Sequence, residues 1–502
     1  MQVIGKRRFV SVTLGKERTP ACLCESAGHH SWVTMKKLIL LSALMSVLAG
    51  ARGNDKTEPD AADNLAAFLF SVSDVIMDHE LEAPPRQQLL HLSLRNFAGK
   101  HGQTLPRLNR QISSITTSGQ LAVLLRRVSS PAKGLQDDKD TRKRLLDGLN
   151  ILNPATGFGG ATYQEAHDYK VAKQLNENRY VGIGIALSMT SRDGTGRPVV
   201  GRLLGKGPAF YSGLLKGDQM YEIDGRDTAG KSLREVLLWL RGEEGSKVEL
   251  IVRQRARDPK RKVVITRSVV PIQSAAGWSE DTPGEHEYRI EDAPEFAYVR
   301  IDQITGATLN ELQALEPVFA ELGIKGVVFD LRNTNPTQEG GVHHVCMLAD
   351  GLIPGGQLGS IHEHGRPREL KAGRDAVFRN LPMVAMVGPA TRGAAEWLAA
   401  ALQDNERALI VGRPTLGLTK IKRSIPLPDD GGALLLNTAR LERSDQEERE
   451  ANRKKGLDRL RGTPSITADS VYPDERVMDN DPRSAHSSVL RKALEHLRNE
   501  IR

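Results

Sequence analysis

The chain has 502 residues, 39% hydrophobic, 26% charged and 4% aromatic, with 70 Lys/Arg against 62 Asp/Glu. That composition suits a soluble protein of two or three domains with ample core. The formal net charge of +8 does not by itself indicate a nucleic-acid partner, because no basic stripe interleaved with aromatics accompanies it.

The N-terminus accounts for most of that charge. From Met35 the sequence reads MKKLILLSALMSVLAGARG: two lysines, an apolar run, then Ala49-Gly50-Ala51. This is the pattern of a secretory signal peptide over 35–51, with an A-x-A cleavage site. The apolar run is too short to span a bilayer comfortably, so no stable membrane anchor is expected, although a retained anchor is the competing reading. Residues 1–34 do not fit a signal and read as an extension before the true start at Met35. Removing 1–51 takes away seven Lys/Arg and two Asp/Glu, leaving 63 cations against 60 acids, a net charge of +3. Cys22 and Cys24 leave with it, and Cys346 remains alone, so the mature chain has no intramolecular disulfide. An exported, disulfide-free protein of this size points to the periplasm or the extracellular space.

Residues 52–177 read as a helical region. AADNLAAFLFSVSDVI, PRQQLLHLSLRNFA and DTRKRLLDGLNIL carry apolar residues at the helical period, interrupted at Pro84-Pro85 and at the Ser-Ser-Pro of 129–131. No chemistry stands out there.

From 178 to 256 the pattern changes. RYVGIGIALSM is a β-rich run with two glycines, and VVGRLLGKGPAFYSG leads into LLKGDQMYEIDG. A helix, SLREVLLWLRG, and a strand, KVELIVRQ, follow. The order and the phrase GPAFYSGLLKGDQMYEIDG resemble a PDZ domain. The resemblance puts Val181, Gly182, Ile183, Gly184 and Ile185 at the carboxylate-binding loop. There, exposed backbone N–H groups would meet a peptide's terminal carboxylate, while the peptide adds as a strand beside the helix at 231–241. A groove filled by the protein's own chain is the alternative.

After the basic linker RARDPKRK and a strand VVITRSVVPI, residues 263–445 alternate strand and helix. FAYVRID, GVVFDLRN, PMVAMVG and RALIVG read as strands; TLNELQALEPVFAELG, VHHVCMLADGL and AAEWLAAALQD read as helices. This rhythm predicts a mostly parallel sheet with crossover helices. Residues 446–502 read as a charged tail closed by an amphipathic helix, SVLRKALEHLRNEI.

The order of these blocks resembles the carboxyl-terminal processing, or tail-specific, proteases. LLDGLNILNPATGFGGATYQEAHDY precedes the PDZ-like stretch as in that family, with Asn153 where the family has Asp. KGVVFDLRN, GPATRGAAEW, PTLGLTK and PLPDDGGALLLNTARLE follow in family order. The resemblance implies a multidomain α/β protein: a helical arm, a β-rich PDZ domain and a ClpP/crotonase-like αβ core. It also implies a serine nucleophile in a small-residue turn before a helix, with a neutral lysine as base in a downstream loop. With Glu396 aligned on the family's glutamate, the serine position falls on Gly393. With Thr415-Leu416-Gly417 aligned on its T-F-G, the lysine falls on Leu418 and a supporting glutamine on Lys422. None of the three keeps the family's side chain. A relocated pair, Thr391 with Lys420, is the fallback; the plainer reading makes Thr391 a helix N-terminal hydroxyl and Lys420 a solvated strand residue.

Other candidates are weaker. Residues 412–419 have the spacing of a phosphate-binding loop, but Leu418 stands where its lysine belongs. His343, His344 and Cys346, or His362 and His364, lack a matched second pair, so no metal and no cofactor are expected. Asp330 and Arg332 read as a strand-end pair, and the NTNPTQEGG that follows is a stretched form of the family's N-P-G-G. The sequence therefore predicts an exported, inactive peptidase homologue that binds C-terminal or unfolded segments of extracytoplasmic proteins, alone or with an active protease paralogue. An active serine-type endopeptidase and a structural interaction protein with an occluded groove are the alternatives.

Overall fold

The computed structural model describes residues 59–100, 108–128, 135–150, 160–176, 179–190, 196–204, 207–271, 273–282, 285–334, 341–364, 367–417, 420–427, 431–444, 470–478 and 487–502. The signal-peptide reading, the 1–34 extension, Asn153, residues 335–340 and most of the charged tail lie outside them.

The arm consists of helices α1 (Ala61–His79), α2 (Arg86–Lys100), α3 (Leu108–Ser113), α4 (Ser118–Val128) and α5 (Lys139–Asp147). The helix α1 starts at a capping box: Asp60 accepts from the N–H groups of Ala62 and Asp63, and the Asp63 carboxylate takes the N–H of Asp60. Apolar residues at helical spacing bury one side of the arm on itself through Leu65, Leu69, Leu94 and Leu125. A second set, Phe68, Val72 and Ile76, packs on Leu434 and Leu436 of the core. The arm is therefore continuous with the core. It also supplies the short strand β1 (Thr162–Gln164), followed by α6 (Ala166–Asn176).

The run RYVGIGIALSM divides into β2 (Arg179–Gly182) and β3 (Ile185–Met189). With β4 (Pro198–Leu203), β5 (Gln219–Ile223), α7 (Leu233–Leu240), β6 (Lys247–Arg253) and β7 (Arg261–Thr266) it builds the PDZ domain. The sheet order is β3-β4-β5-β6-β7. Residue 256 is thus not the edge of this sheet, since β7 pairs antiparallel with β6. The expected strand VVITRSVVPI is also two, β7 and β8 (Ser268–Pro271), which pairs with β2. Between them lies buried Arg267, whose guanidinium donates to the Trp239 and Leu240 carbonyls at the end of α7, satisfying groups a helix C-terminus leaves open.

The core holds β9 (Ala293–Ile301), α8 (Thr308–Glu321), β10 (Gly326–Asp330), α9 (Gly341–Leu352), β11 (Gly356–His362), β12 (Arg368–Ala372), β13 (Met383–Val387), α10 (Ala394–Asp404), β14 (Leu409–Gly412), β15 (Lys420–Pro426), β16 (Ala433–Glu442), β17 (Glu475–Arg476) and α11 (Ser488–Glu500). Strands β9-β10-β13-β14-β17 run parallel, as the alternation predicts. Every residue of β10 and of β13 is buried, which is why both read as unbroken apolar runs. The helix α11 covers one face with Val489, Leu490, Ala493, Leu494 and Leu497 against Val328, Val384 and Met386. A second sheet, β1-β16-β11-β12 with β15 on β16, is antiparallel and was not expected from the sequence. No helix among the described residues is long and apolar enough to cross a membrane.

Candidate active site

The parallel strand β13 ends at Val387, and the chain turns through 388–393 into α10. Gly393 is the N-cap residue of that helix, with φ 61° and ψ −128°. An L side chain adopts such a backbone only under strain, so glycine suits the turn as it stands. The first turn of α10 is fully enclosed: Ala394, Ala395, Glu396 and Trp397 are all buried. The Glu396 carboxylate accepts the N–H of Gly417. That bond fixes the loop after β14 against the start of α10, so position 418 follows directly from a residue held at the helix. Leu418 itself lies outside the described residues. The loop is held from its other side by Thr415, whose N–H donates to the Val471 carbonyl and whose hydroxyl accepts the Val471 N–H.

Thr391 is completely buried. Its hydroxyl donates to the Leu331 carbonyl at 2.8 Å and accepts the Gly388 N–H at 3.0 Å. The hydroxyl locks the turn after β13 to the end of β10; it does not cap the helix, correcting the N-terminal hydroxyl reading. Its proton is engaged, and no base accepts it. Lys420 opens β15, and its ammonium lies 2.6 Å from the Glu82 carboxylate of the arm. Lys420 is thus ion-paired as well as partly solvated, at about one third exposed. Lys422 pairs in register with Asn437 across a bulge after Ile421. Next to it the arm makes its deepest contact: fully buried Glu80 accepts the Asn437 N–H at 2.8 Å and the Asn437 amide at 3.1 Å. Burial pushes the Glu80 carboxyl up, and its bonds to Asn437 pull it back, followed by the charges of Lys420 and Lys422. Sequence reading missed Glu80 and Glu82, since nothing in HELEAPP signals a strand more than three hundred residues away.

Asp330 and Arg332 form the expected pair, with the guanidinium 2.7 Å from the carboxylate, and Tyr298 donates its hydroxyl to the same carboxylate at 2.6 Å. His343 and His344 present rings 5.9 Å apart and tilted, and no group of three metal-ligating side chains occurs among the described residues. His362 meets Glu442 at 3.0 Å and Ser360 at 3.3 Å through the same ring nitrogen, Nε2. One nitrogen cannot both take the serine proton and be oriented by the carboxylate, so this trio does not form a relay.

In the PDZ domain, Val181 and Gly182 pair with Val269 and Ser268. The chain then turns at Gly184, φ 79°, whose missing Cβ leaves room for Gly207; a Cβ there would sit 2.9 Å from the Gly207 Cα. The Ile183 carbonyl accepts from Ala209 and the Gly184 carbonyl from Leu204. Among the described residues the N–H groups of Ile183 and Gly184 have no acceptor, and β3, starting at Ile185, has no strand on its outer edge. Two adjacent N–H groups beside an open strand edge form a cradle for an anion.

Residues 295–458 match peptidase family S41. This segment is of peptidase family S41, and the chain is similar to the carboxyl-terminal processing proteases. It is 26% identical over 325 residues to the carboxy-terminal-processing protease of Bartonella bacilliformis, covering 63% of this chain and 68% of that one. It is 29% identical over 252 residues to the carboxyl-terminal-processing protease of Synechocystis sp., covering 50% and 56%. The chain thus spans about half to two thirds of the length of those relatives. Among solved structures, the photosystem II D1 C-terminal processing protease is 21% identical with a TM-score of 0.40, covering 82% of this chain and 93% of that one. The PDZ domain of the Vibrio cholerae carboxy-terminal protease, solved with a peptide, is 30% identical with a TM-score of 0.17, covering 19% and 99%. Neither superposition is close enough to transfer a site.

Proposed function

We propose that this chain is exported and captures C-terminal or unfolded segments of extracytoplasmic proteins without cutting them, alone or beside an active protease paralogue. Gly393 supports this most directly: the helix-opening turn that would carry the nucleophile has no side chain and a backbone that disfavours one. Leu418, the residue after the Gly417 anchor, offers no base in place of the family lysine, and Lys422 stands where the resemblance expects glutamine. The fallback groups do not fill the gap. The Thr391 proton is committed to a backbone carbonyl, and Lys420 is held by Glu82. A nucleophile without a base in reach gives no covalent catalysis. The N–H groups of Ile183 and Gly184, buried and without an acceptor among the described residues, support the binding half, with Val181, Gly182 and Ile185 beside them at the strand entry.

The test is incubation of the protein with unfolded substrates bearing apolar C-termini, read by intact mass, together with labelling by a fluorophosphonate. Binding without cleavage or labelling is the expected result. Cleavage abolished by Thr391→Ala and by Lys420→Ala would make the chain a working endopeptidase. Neither binding nor cleavage would leave the structural interaction protein.

A further inference from the structure

The PDZ sheet has one face on its own core and one face on solvent. Met220 and Ile223 of β5 enter the core with Val248, Leu250 and Val252 of β6, which leaves Tyr221 and Arg253 on the outer face. Three cations gather on the Tyr221 ring: Arg197 at 4.5 Å, Arg253 at 4.7 Å and Lys260 at 4.5 Å from its centroid. Like charges repel, so such a cluster persists only if other contacts hold it, and here the aromatic face and the Tyr221 hydroxyl do so. The basic surface continues through the turn after β6, where Arg255 and Arg257 are exposed, to Lys216.

The charges are unequally balanced. Arg197, Arg261 and Lys262 each have a carboxylate partner, in Asp227, Asp218 and Glu249. Lys216, Arg253, Arg255, Arg257 and Lys260 have none within ion-pair distance among the described residues. The only acid in the turn, Asp258, accepts the Arg255 backbone N–H.

Beside this surface stand two of the most exposed apolar side chains among the described residues, Tyr211 at 74% and Leu215 at 47%. Their loop is tied to the basic end of the sheet: Arg261 donates to the Gly213 carbonyl at 3.0 Å, and Gln254 donates to the Lys216 carbonyl.

We propose that this face of the PDZ domain docks on an anionic lipid surface, with Lys216, Arg253, Arg255, Arg257 and Lys260 over the headgroups and Tyr211 and Leu215 inserted at the acyl boundary. A broad sheet face carrying fanned-out cations matches a planar array of negative charge, and the adjoining aromatic and aliphatic side chains match the interface below it. An acidic peptide would be better served by a groove that closes around it. Nucleic acid is less well matched, because the ring within the basic cluster, Tyr221, already carries cations, and Tyr211 stands outside that cluster beside an aliphatic side chain. The capturing groove, at the outer edge of β3, remains open while the sheet face is docked, so a client could be held at the membrane.

The experiment is co-sedimentation of the full chain with phosphatidylcholine vesicles, with and without phosphatidylglycerol, at low and high salt. Lys216→Gln/Arg255→Gln/Arg257→Gln changes only exposed side chains, and Tyr211→Ser/Leu215→Ser removes the apolar pair. Any contribution of residues 35–51, Lys36 and Lys37 included, is common to all three proteins, so the differences between them read the sheet face. Expected is binding that requires phosphatidylglycerol, weakens with salt, and falls by at least about tenfold in the charge variant and severalfold in the apolar one. Equal binding to neutral vesicles, an unaffected charge variant, or displacement of vesicles by oligo-glutamate at lower concentration than by free lipid would each overturn the proposal. The last outcome would assign the face to an acidic protein segment.

Discussion

Lys420 and Glu82 join the first strand of the β15–β16 hairpin to the loop between α1 and α2 of the arm, at 2.6 Å. Each is about one third exposed, so solvent screens the pair and it contributes less than about 1 kcal/mol. Asn437 and Glu80, close by, are different: the carboxylate is fully buried and Asn437 supplies two of its donors. The prediction is a contrast. Lys420→Met lowers stability by less than about 1 kcal/mol, an effect that shrinks further in salt. Asn437→Ala strips the side-chain donor from a buried carboxylate and costs about 2 kcal/mol. Denaturant midpoints check both; equal losses would mean that the exposed pair carries the arm.

Placing a serine and a lysine at positions 393 and 418 tests the reading of the site. Gly393→Ser places a side chain at φ 61°, which costs about 1–3 kcal/mol. Alone it should give no fluorophosphonate labelling, because nothing takes its proton. Gly393→Ser combined with Leu418→Lys should label, since residue 418 follows the Gly417 that Glu396 holds at the head of α10. Labelling by the single variant, or none by a folded double variant, would count against the assignment of these two positions.

The parallel sheet was readable in the sequence because its strands, GVVFD and MVAMV, are buried on both faces and its helices follow with short connections. The antiparallel sheet was not. ALLLNTARLE changes partners along its length, packing Leu434 and Leu436 on the arm and Ala439 and Leu441 on the core, so no simple alternation marks it. The split of RYVGIGIALSM into strands of two sheets depends on the approach of Gly184 to Gly207, a contact between backbones that no periodicity encodes. At the site, the family resemblance points to Gly393 and Leu418, but the states of Thr391 and Lys420 depended on Leu331 and Glu82. Those partners are remote in sequence and belong to other elements, so spacing alone could not reveal them.

His344 sets a pH dependence. It lies on α9 with Nδ1 buried and unpartnered among the described residues, and burial, aided by His343, pushes its pKa down to about 4. The unfolded chain therefore takes up this proton first as pH falls. The stability contributed by the neutral ring is complete above about pH 6.5 and is lost between there and pH 4. Glu80 and Glu311, raised by burial, act in the opposite sense, so the readout is the difference between two proteins. Between pH 7 and 5 the melting temperature of His344→Gln should fall by roughly 2–5 °C less than that of the natural sequence. Parallel curves would refute the assignment.

Gly184 tests the binding half. Valine there meets two penalties: a positive φ of 79°, and a Cβ 2.9 Å from the Gly207 Cα. The segments must part, which displaces the N–H groups of Ile183 and Gly184. Peptide binding should fall by more than about tenfold, equivalent to more than about 1.4 kcal/mol. The domain loses about 1–3 kcal/mol of stability from the same strain. Loss of fold and loss of site separate through the ligand: a peptide amidated at its C-terminus lacks the charge those N–H groups would hold. It should bind the natural protein about as weakly as the free acid binds Gly184→Val. Equal binding of amide and acid to the natural protein would mean that the cradle at Ile183 and Gly184 does not receive a terminal carboxylate.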